Sequence, residues 1–247
     1  MAAVNGLDGG RLELHRFDGL VSGRLIRRYK RFLVDVETPG RGPVTAFCPN
    51  SGSMAGLSAA GSPVMLSLHD SPLRKTRHTL EMIKAGGVWV GVNTSLTNTL
   101  ARGLLEAGLI EELAPCMGLR AEVAFGDSRL DFLVEFPGGR RPCYVEVKSV
   151  TLREGRGCEF PDAVTLRGRK HLRALMSAVE KGYEACALFV VQRGDCGRFR
   201  PAAHIDPAYA EALDLAARRG VRVIAYGLSV SPEGIYARGR LKVTGPR

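Results

Sequence analysis

The sequence predicts two domains, a small antiparallel β-barrel or β-sandwich followed by an α/β domain. The chain has 247 residues, of which 45% are hydrophobic and 24% are charged, as in an ordinary globular protein with a substantial core. Short β-like runs separated by Gly and Pro continue to about residue 85, and strand and helix patterns alternate after it. We therefore place the two domains at residues 1–85 and 86–247.

Four short runs make up the first domain. Each is rich in apolar residues and is bounded by turn-forming residues. The runs are 20–26, 32–37, 44–48 and 64–68. Strands of this length and spacing are typical of a small antiparallel barrel or sandwich.

The second domain combines strands with three helices. Leu100, Leu104 and Leu105 form one apolar helical face, and Asp206 followed by Pro207 is a strong helix start. The predicted helices are 97–107, 165–181 and 207–219, each closed by a glycine. The predicted strands are 88–92, 122–125, 129–136, 143–150, 185–191 and 221–226. This alternation indicates a sheet covered by helices.

The charge balance favours a polyanionic partner. The chain carries 35 Lys and Arg against 25 Asp and Glu, a formal net charge of +10. Nucleic acid is the first candidate for such a basic protein. No dinucleotide or P-loop fingerprint is present, which argues mildly against a nucleotide enzyme.

Export and membrane insertion are not expected. The N-terminus lacks a basic stretch followed by an apolar segment, and the longest apolar run, 185–191, is far shorter than the roughly 20 residues that span a bilayer. We expect a cytoplasmic protein with no membrane partner. The six cysteines form no C-x-x-C pair, so we expect them to be reduced and mostly buried, without a zinc or redox motif.

Residues 24–32 form a basic segment with two aromatic residues. It contains five Lys or Arg and no acid, a composition suited to phosphate contacts and base stacking. The alternative is a solvated edge strand whose cations prevent sheet-to-sheet association.

The most informative chemistry lies on the predicted hairpin of strands 129–136 and 143–150. If Phe136 pairs with Cys143, Asp131 lies opposite Lys148 and diagonal to Glu146 on one face. Two carboxylates beside a lysine suit Mg²⁺ or Mn²⁺, and the lysine can orient a water and offset negative charge at a phosphate. This is the pattern of metal-dependent phosphodiesterases. The alternative is a cross-strand salt bridge on an exposed face.

A cationic loop and helix start follow this hairpin. Residues 153–173 contain six Lys or Arg and three acids, and Arg167 and Lys170 are candidate phosphate contacts. The alternative is an exposed helix face. We expect His171 to pack or to cap a helix rather than to bind a metal.

Several segments resemble the sugar fermentation stimulation protein A family. They include the hairpin and the loop after it, and they continue through the first domain, so that the resemblance covers nearly the whole chain. The segments are 27–33, 48–54, 92–94, 128–132, 143–152, 160–165, 167–168, 170–172 and 204–206.

The resemblance implies a DNA-binding protein associated with the regulation of sugar metabolism, notably of maltose. It also implies an N-terminal OB-fold and a C-terminal domain similar to PD-(D/E)XK nucleases, with a mixed sheet and flanking helices. Asp131, Glu146 and Lys148 fall at the nuclease-like positions, with Asp131 and Glu146 as metal ligands and Glu122 as a candidate additional ligand. The residues that fall where an OB surface would meet DNA are Arg27, Arg28, Tyr29, Lys30 and Arg31.

We therefore expect a DNA-binding protein that is largely non-specific for sequence and has a site for Mg²⁺ or Mn²⁺. Whether it cleaves nucleic acid stays open at this point, and so does homodimer formation. The alternative is an enzyme of sugar or nucleotide metabolism that uses the same cationic pocket for a phosphorylated substrate.

Overall fold

The computed structural model describes residues 7–8, 11–70 and 74–245. These residues form strands and helices that we number in chain order. The strands are β1 Leu7–Asp8, β2 Arg11–Arg16, β3 Val21–Tyr29, β4 Leu33–Thr38, β5 Gly42–Phe47, β6 Pro63–Leu68, β7 His78–Ala85, β8 Val88–Gly91, β9 Gly118–Phe125, β10 Ser128–Glu135, β11 Cys143–Val150, β12 Leu152–Glu154, β13 Gly157–Phe160, β14 Glu184–Val191, β15 Arg198–Pro201, β16 Arg222–Val230 and β17 Gly234–Val243. The α-helices are α1 Thr97–Glu106, α2 Leu166–Glu180 and α3 Pro207–Arg218. No helix in these ranges is long and apolar enough to cross a membrane.

The first sheet is a closed five-stranded barrel with one additional strand. Its order is β5-β4-β3-β6-β7-β8, and β5 also pairs with β7, which closes the barrel. Alternate residues such as Val34 and Val36 of β4 and Val64 and Leu66 of β6 fill its interior. The predicted OB-like barrel is confirmed.

Strand β7 was not expected from the sequence. Its residues 79–83 are all buried, so the period-2 alternation that reveals a half-exposed strand is missing. Leu80 packs in the barrel core, whereas Met82 packs in the core of the second domain. Strand β8, which follows the predicted boundary at residue 85, pairs with β7 and belongs to the first sheet.

The second sheet is mixed and has helices on both faces, as the sequence predicts. Its order is β12-β13-β15-β17-β16-β14-β11-β10-β9, and β2 joins it by pairing with β17. Apolar residues of α1, such as Leu104, pack with Val145 on one face. Leu172 of α2 and Leu213 of α3 pack with Leu133 on the other face.

The two helices on that face begin beside each other. The Thr165 hydroxyl accepts a hydrogen bond from Gly168 N at 3.0 Å and caps α2. Asp206 caps α3 by accepting from Tyr209 N at 3.0 Å, and its other oxygen accepts from Thr165 N at 2.8 Å. A Cβ at position 168 would lie 2.9 Å from the Tyr209 ring, so glycine permits this close approach.

The expectation that all six cysteines are reduced is wrong for one pair. Cys158 and Cys196 form a disulfide, with 5.7 Å between their Cα atoms. Cys158 lies in β13 and Cys196 just before β15, and the parallel pairing of these strands brings the two together. Because 38 residues separate them, no local spacing could reveal the pair.

Candidate metal and nucleic-acid site

Asp131 and Glu146 lie on the neighbouring strands β10 and β11, which pair in a different register from the predicted one. Val134 pairs with Cys143 and Phe132 with Val145. The predicted pairing of Phe136 with Cys143 is therefore wrong by two residues. Pro142 has no N–H to donate to a ladder at the turn, and the connection is longer than a tight hairpin. The pairing between the two strands ends at Phe132 and Val145; beyond it, Asp131 accepts from Asn98 of α1, whereas Glu146 contacts His171 of α2.

Hydrogen bonds fix both oxygens of Asp131. Oδ1 accepts from Asn98 Nδ2 of α1 at 2.9 Å, and Oδ2 accepts from the Val147 backbone N–H at 2.7 Å. Burial, followed by the negative charge of Glu146, raises the pKa of Asp131 above its ordinary value despite these bonds. The structure thus holds one carboxylate close to another at an electrostatic cost.

Glu146 is 4% exposed and has one engaged oxygen and one free oxygen. Oε1 contacts both Lys148 Nζ and His171 Nδ1. Oε2 is buried and has no hydrogen-bond partner. Burial alone raises the pKa of Glu146, but the hydrogen bond from His171 and the charge of Lys148 outweigh it and leave that pKa below its ordinary value.

The alternative of an exposed salt bridge is contradicted by this burial. Helix α2 covers the face that carries Glu146, and His171 of that helix is itself buried. His171 packs in the interior, which is one of the two expected roles, and it also contacts Glu146 through Nδ1 and accepts from Arg167 Nε at 3.5 Å through Nε2. It therefore positions Glu146.

A cavity of about 360 Å³ opens beside this cluster, between the barrel and the second sheet. It brings together cations that lie far apart in the sequence. Arg31 reaches it from the barrel, Lys148 from β11 and Arg167 from the first turn of α2. The cavity is lined in addition by Asn50, Ser51, Gly52, Thr94, Ser149, Glu159 and Asp162.

The other predicted contacts on the barrel have partners within the protein. Arg28 donates to the backbone oxygens of Asn50, Gly52 and Ser53 and thereby holds this loop in place. Arg27 donates to Asp35 at 2.8 Å and stacks on Tyr29, whose hydroxyl also donates to Asp35. Lys30 is exposed in the turn that carries Arg31.

Two acids also line the cavity: Asp162, from the segment 160–165 that carries the resemblance, and Glu159, which the sequence did not single out. Asp162 joins the domains, because its Oδ2 accepts from Met54 N at 3.0 Å and its backbone oxygen accepts from Ser53 Oγ at 2.7 Å. Glu159 is 1% exposed and binds Arg200. The two-residue alternation of a four-residue strand is too short a signal to reveal Glu159.

Lys170 and Glu122 lie outside this cavity. Lys170 donates to the Asp127 backbone oxygen at 2.8 Å and pairs with its carboxylate at 3.1 Å, in a separate depression beside α2. Glu122 is exposed on β9, with its carboxylate 3.9 Å from the Arg129 guanidinium. Glu122 would have to move to become a ligand.

The Asp131 and Glu146 pair fits a hard divalent cation. The unpartnered Glu146 Oε2 is a buried acceptor beside a second carboxylate, and an all-oxygen set completed by a backbone carbonyl and water is what Mg²⁺ or Mn²⁺ takes. Within the described ranges, no three His, Cys, Asp or Glu side chains form a larger ligand group. The fit therefore depends on this pair.

Comparisons with known proteins match both domains. The family model described as the sugar fermentation stimulation protein RE domain matches residues 95–234, and the SfsA N-terminal OB domain matches 26–92. A sugar fermentation stimulation protein homolog from Geotalea uraniireducens is 50% identical over 225 residues, which cover 91% of this chain and 96% of the homolog. One from Pelobacter propionicus is 49% identical, with 92% and 99% covered.

A solved structure of a Pyrococcus furiosus protein is also similar. It is described as SfsA in complex with Ca²⁺ and superposes with a TM-score of 0.87 at 29% sequence identity. The match covers 94% of this chain and 99% of the other.

Proposed function

The chain belongs to the sugar fermentation stimulation protein family, and from this premise we propose that it binds DNA and carries a divalent-metal-dependent phosphodiesterase site. One observation carries the proposal. The paired carboxylates of Asp131 and Glu146 adjoin Lys148, which lines a cavity together with Arg31 and Arg167. A divalent cation would offset the negative charge of the two carboxylates, and the basic groups would offset the negative charge of a phosphate.

The basic groups support binding to the DNA backbone rather than to particular bases. Arg31, Lys148 and Arg167 supply cations from three separate elements around one cavity. Contacts of this kind neutralise phosphates and carry no sequence information. The formal net charge of +10 adds long-range attraction. We therefore propose binding that is largely independent of base sequence.

The acidic pair supports metal-dependent chemistry. The relative from Pyrococcus furiosus is a complex with Ca²⁺, and in this chain Asp131 and Glu146 would hold a divalent ion such as Mg²⁺ or Mn²⁺. Such an ion lowers the pKa of a bound water and polarises a phosphate oxygen. Asn98 and the Val147 N–H orient Asp131, and Lys148 places positive charge where a phosphate would gain negative charge.

DNA binding is tested by fluorescence anisotropy with labelled duplexes of unrelated sequence. We expect similar affinities for all of them and a steep loss between about 50 and 200 mM salt, because phosphate contacts release counterions. Arg31→Ala and Arg167→Ala should each weaken binding. Binding that salt does not affect, or that one sequence alone supports, would contradict the proposal.

Cleavage is tested on single-stranded, double-stranded and branched substrates with Mg²⁺ and with Mn²⁺. Asp131→Ala and Glu146→Ala should each lower the cleavage rate by at least about 100-fold. Loss of a group that only orients a metal ligand lowers activity by about 10- to 100-fold, and loss of the ligand itself should cost more. Glu122→Ala is the matched control, an exposed acid of the same sheet, and should cleave as the wild type does. Equal rates in all four proteins would assign the activity to a contaminant.

A further inference from the structure

Four exposed cations lie together at the opposite ends of β13 and β15 from the cavity. We call Arg156, Arg198, Arg238 and Lys242 the edge cluster; together with Asp195, Cys196 and Gly197 they line a surface depression of about 590 Å³. Of these four residues only Arg156 belongs to a segment that the sequence singles out, the cationic loop in 153–173, and none of them lines the cavity.

Two members of the edge cluster face each other directly. Arg198 of β15 pairs with Lys242 of β17 in the parallel ladder, so their side chains leave the sheet on the same side. Like charges in directly opposite positions destabilise a sheet. In the ranges that the structure describes, no ion pair with an acid offsets this repulsion.

Other arginines of the same sheet form ion pairs with acids. Arg200 pairs with Glu159, and Arg222 pairs with Glu184. In the described part of the chain, no carboxylate lies within ion-pair distance of Arg156, Arg198 or Lys242. The acid of the depression, Asp195, is already engaged by Arg193 at 2.7 Å and by Arg153 at 3.3 Å.

The backbone under the edge cluster is held firmly. Cys158 and Cys196 form the disulfide, and Arg156 and Arg198 lie two residues from these cysteines. Arg238 Nη1 donates to the Cys196 backbone oxygen at 3.1 Å. The cations are therefore presented by a cross-linked surface, which lowers the entropy cost of binding an extended partner.

The edge cluster is also within reach of the cavity. Strand β13 begins at Gly157, which lies beside Arg198, and ends at Phe160, which lines the cavity. Three residue steps of a strand span roughly 10 Å. One strand of duplex DNA covers that distance in about three nucleotides, at roughly 3.4 Å each.

We propose that the edge cluster is a second phosphate-binding site, which holds the backbone of the same DNA that enters the cavity. This inference rests on the proposed function, because it names where the DNA continues. The ligand groups are the phosphodiesters of DNA, and the cluster contributes affinity rather than chemistry.

The test compares two double variants with the same change in charge. Arg198→Ala/Lys242→Ala removes the facing pair, and Arg218→Ala/Arg219→Ala removes two exposed arginines at the end of α3, which pair with Asp214 and Glu180. Anisotropy with a long duplex should give the edge variant about a 10- to 60-fold weaker affinity near 0.1 M salt, and a salt slope smaller by about 1.8. The α3 variant should bind as the wild type does.

Thermal melting keeps folding separate from binding. The edge variant should melt at the wild-type temperature or above it, because a like-charge pair has been removed. Equal loss of affinity in both variants would overturn the inference, since net charge alone would then explain the effect. Loss of binding to anionic lipid vesicles with unchanged DNA affinity would overturn it in favour of a membrane surface.

The two proposals fail in different ways. If the wild type binds no DNA at low salt, the proposed function fails. If the wild type binds DNA and the edge variant binds it equally well, only the edge-cluster inference fails.

Discussion

The acidic pair and the edge cluster are two places where one sheet brings like charges together, and they differ in burial. Glu146 is packed under α2 and Asp131 accepts from Asn98 of α1, and fixed groups contact three of their four carboxylate oxygens. Arg198 and Lys242 are exposed, and among the described residues neither forms an ion pair with an acid. The buried pair is enclosed by the protein, whereas the exposed pair lies on an open surface.

Exposure to solvent determines how strongly the two like charges of each pair repel each other. Two unit charges 4 Å apart interact with about 1 kcal/mol in water and about 4 kcal/mol at an effective dielectric constant of 20. The burial that raises the pKa of Asp131 therefore makes the acidic pair the more strained of the two. On the proposed function, a single bound cation would offset the repulsion between the two carboxylates. At the edge cluster, the binding free energy would be the sum of several weak phosphate contacts.

The largest effect on stability is expected from reduction of the disulfide. This bond cross-links the backbone under the edge cluster, whereas hydrogen bonds hold the acidic pair in place. Closing 38 residues should contribute about 4 kcal/mol to the free energy of unfolding. Urea unfolding should therefore shift to a lower midpoint when reductant is added, and DNA affinity should fall with it.

The double variant Cys158→Ala/Cys196→Ala is the control for this shift. It should unfold early and show no response to reductant. Thiol titration of the unfolded, unreduced wild type should find four free thiols, those of Cys48, Cys116, Cys143 and Cys186. Six free thiols would show that the bond is absent in solution and that the edge cluster lacks its support.

The acidic pair and the edge cluster also differ in how far the sequence alone could predict them. The hairpin that carries Asp131 and Glu146 was found because alternating polar and apolar residues determine the face of each side chain. Its register was missed by two residues, because Pro142 and the glycines lengthen the turn without changing the alternation. An even error in register leaves the paired side chains on their correct faces.

The edge cluster could not be found in the same way. Arg156 lies in a turn, Arg198 begins a four-residue strand, and Lys242 lies near the end of a strand, β17, that was not predicted. Their proximity depends on the pairing of β13, β15 and β17, which are far apart in the chain. Local patterns contain no information about such pairings, and the disulfide was missed for the same reason.

A smaller effect should follow from removing charge at the acidic pair. Asp131→Asn keeps the size of the side chain and abolishes its repulsion with Glu146. The Asn98 amide can turn to accept from the new NH2 group while the remaining oxygen accepts from Val147 N, so the metal-free protein should gain about 0.5–2 kcal/mol of unfolding free energy. Added Ca²⁺ or Mn²⁺ should stabilise the wild type by about 2.7 kcal/mol at 100 times its dissociation constant and should stabilise this variant far less. Thermal and urea unfolding with and without metal measure both effects.

Glu122→Gln is the matched control, because it removes one exposed acid from the neighbouring strand. It should leave the response to metal unchanged. If Asp131→Asn lowers the stability of the metal-free protein, the carboxylate is a structural group and the comparison with the edge cluster loses its basis.

The smallest effect is expected for a substitution of Tyr209. It tests whether the free oxygen of Glu146 has a hydrogen-bond partner within the protein. The Tyr209 hydroxyl is buried without a hydrogen-bond partner, and burial followed by the charge of Glu146 raises its pKa. Because an unpartnered buried hydroxyl costs stability, Tyr209→Phe should be neutral or stabilise the protein by about 1 kcal/mol. The variant should keep the full response to metal. A loss of stability together with a stronger response to metal would show that the hydroxyl donates to Glu146 Oε2 in solution. That oxygen would then have a partner inside the protein, and the proposal of an ion at the acidic pair would lose the free acceptor on which it rests.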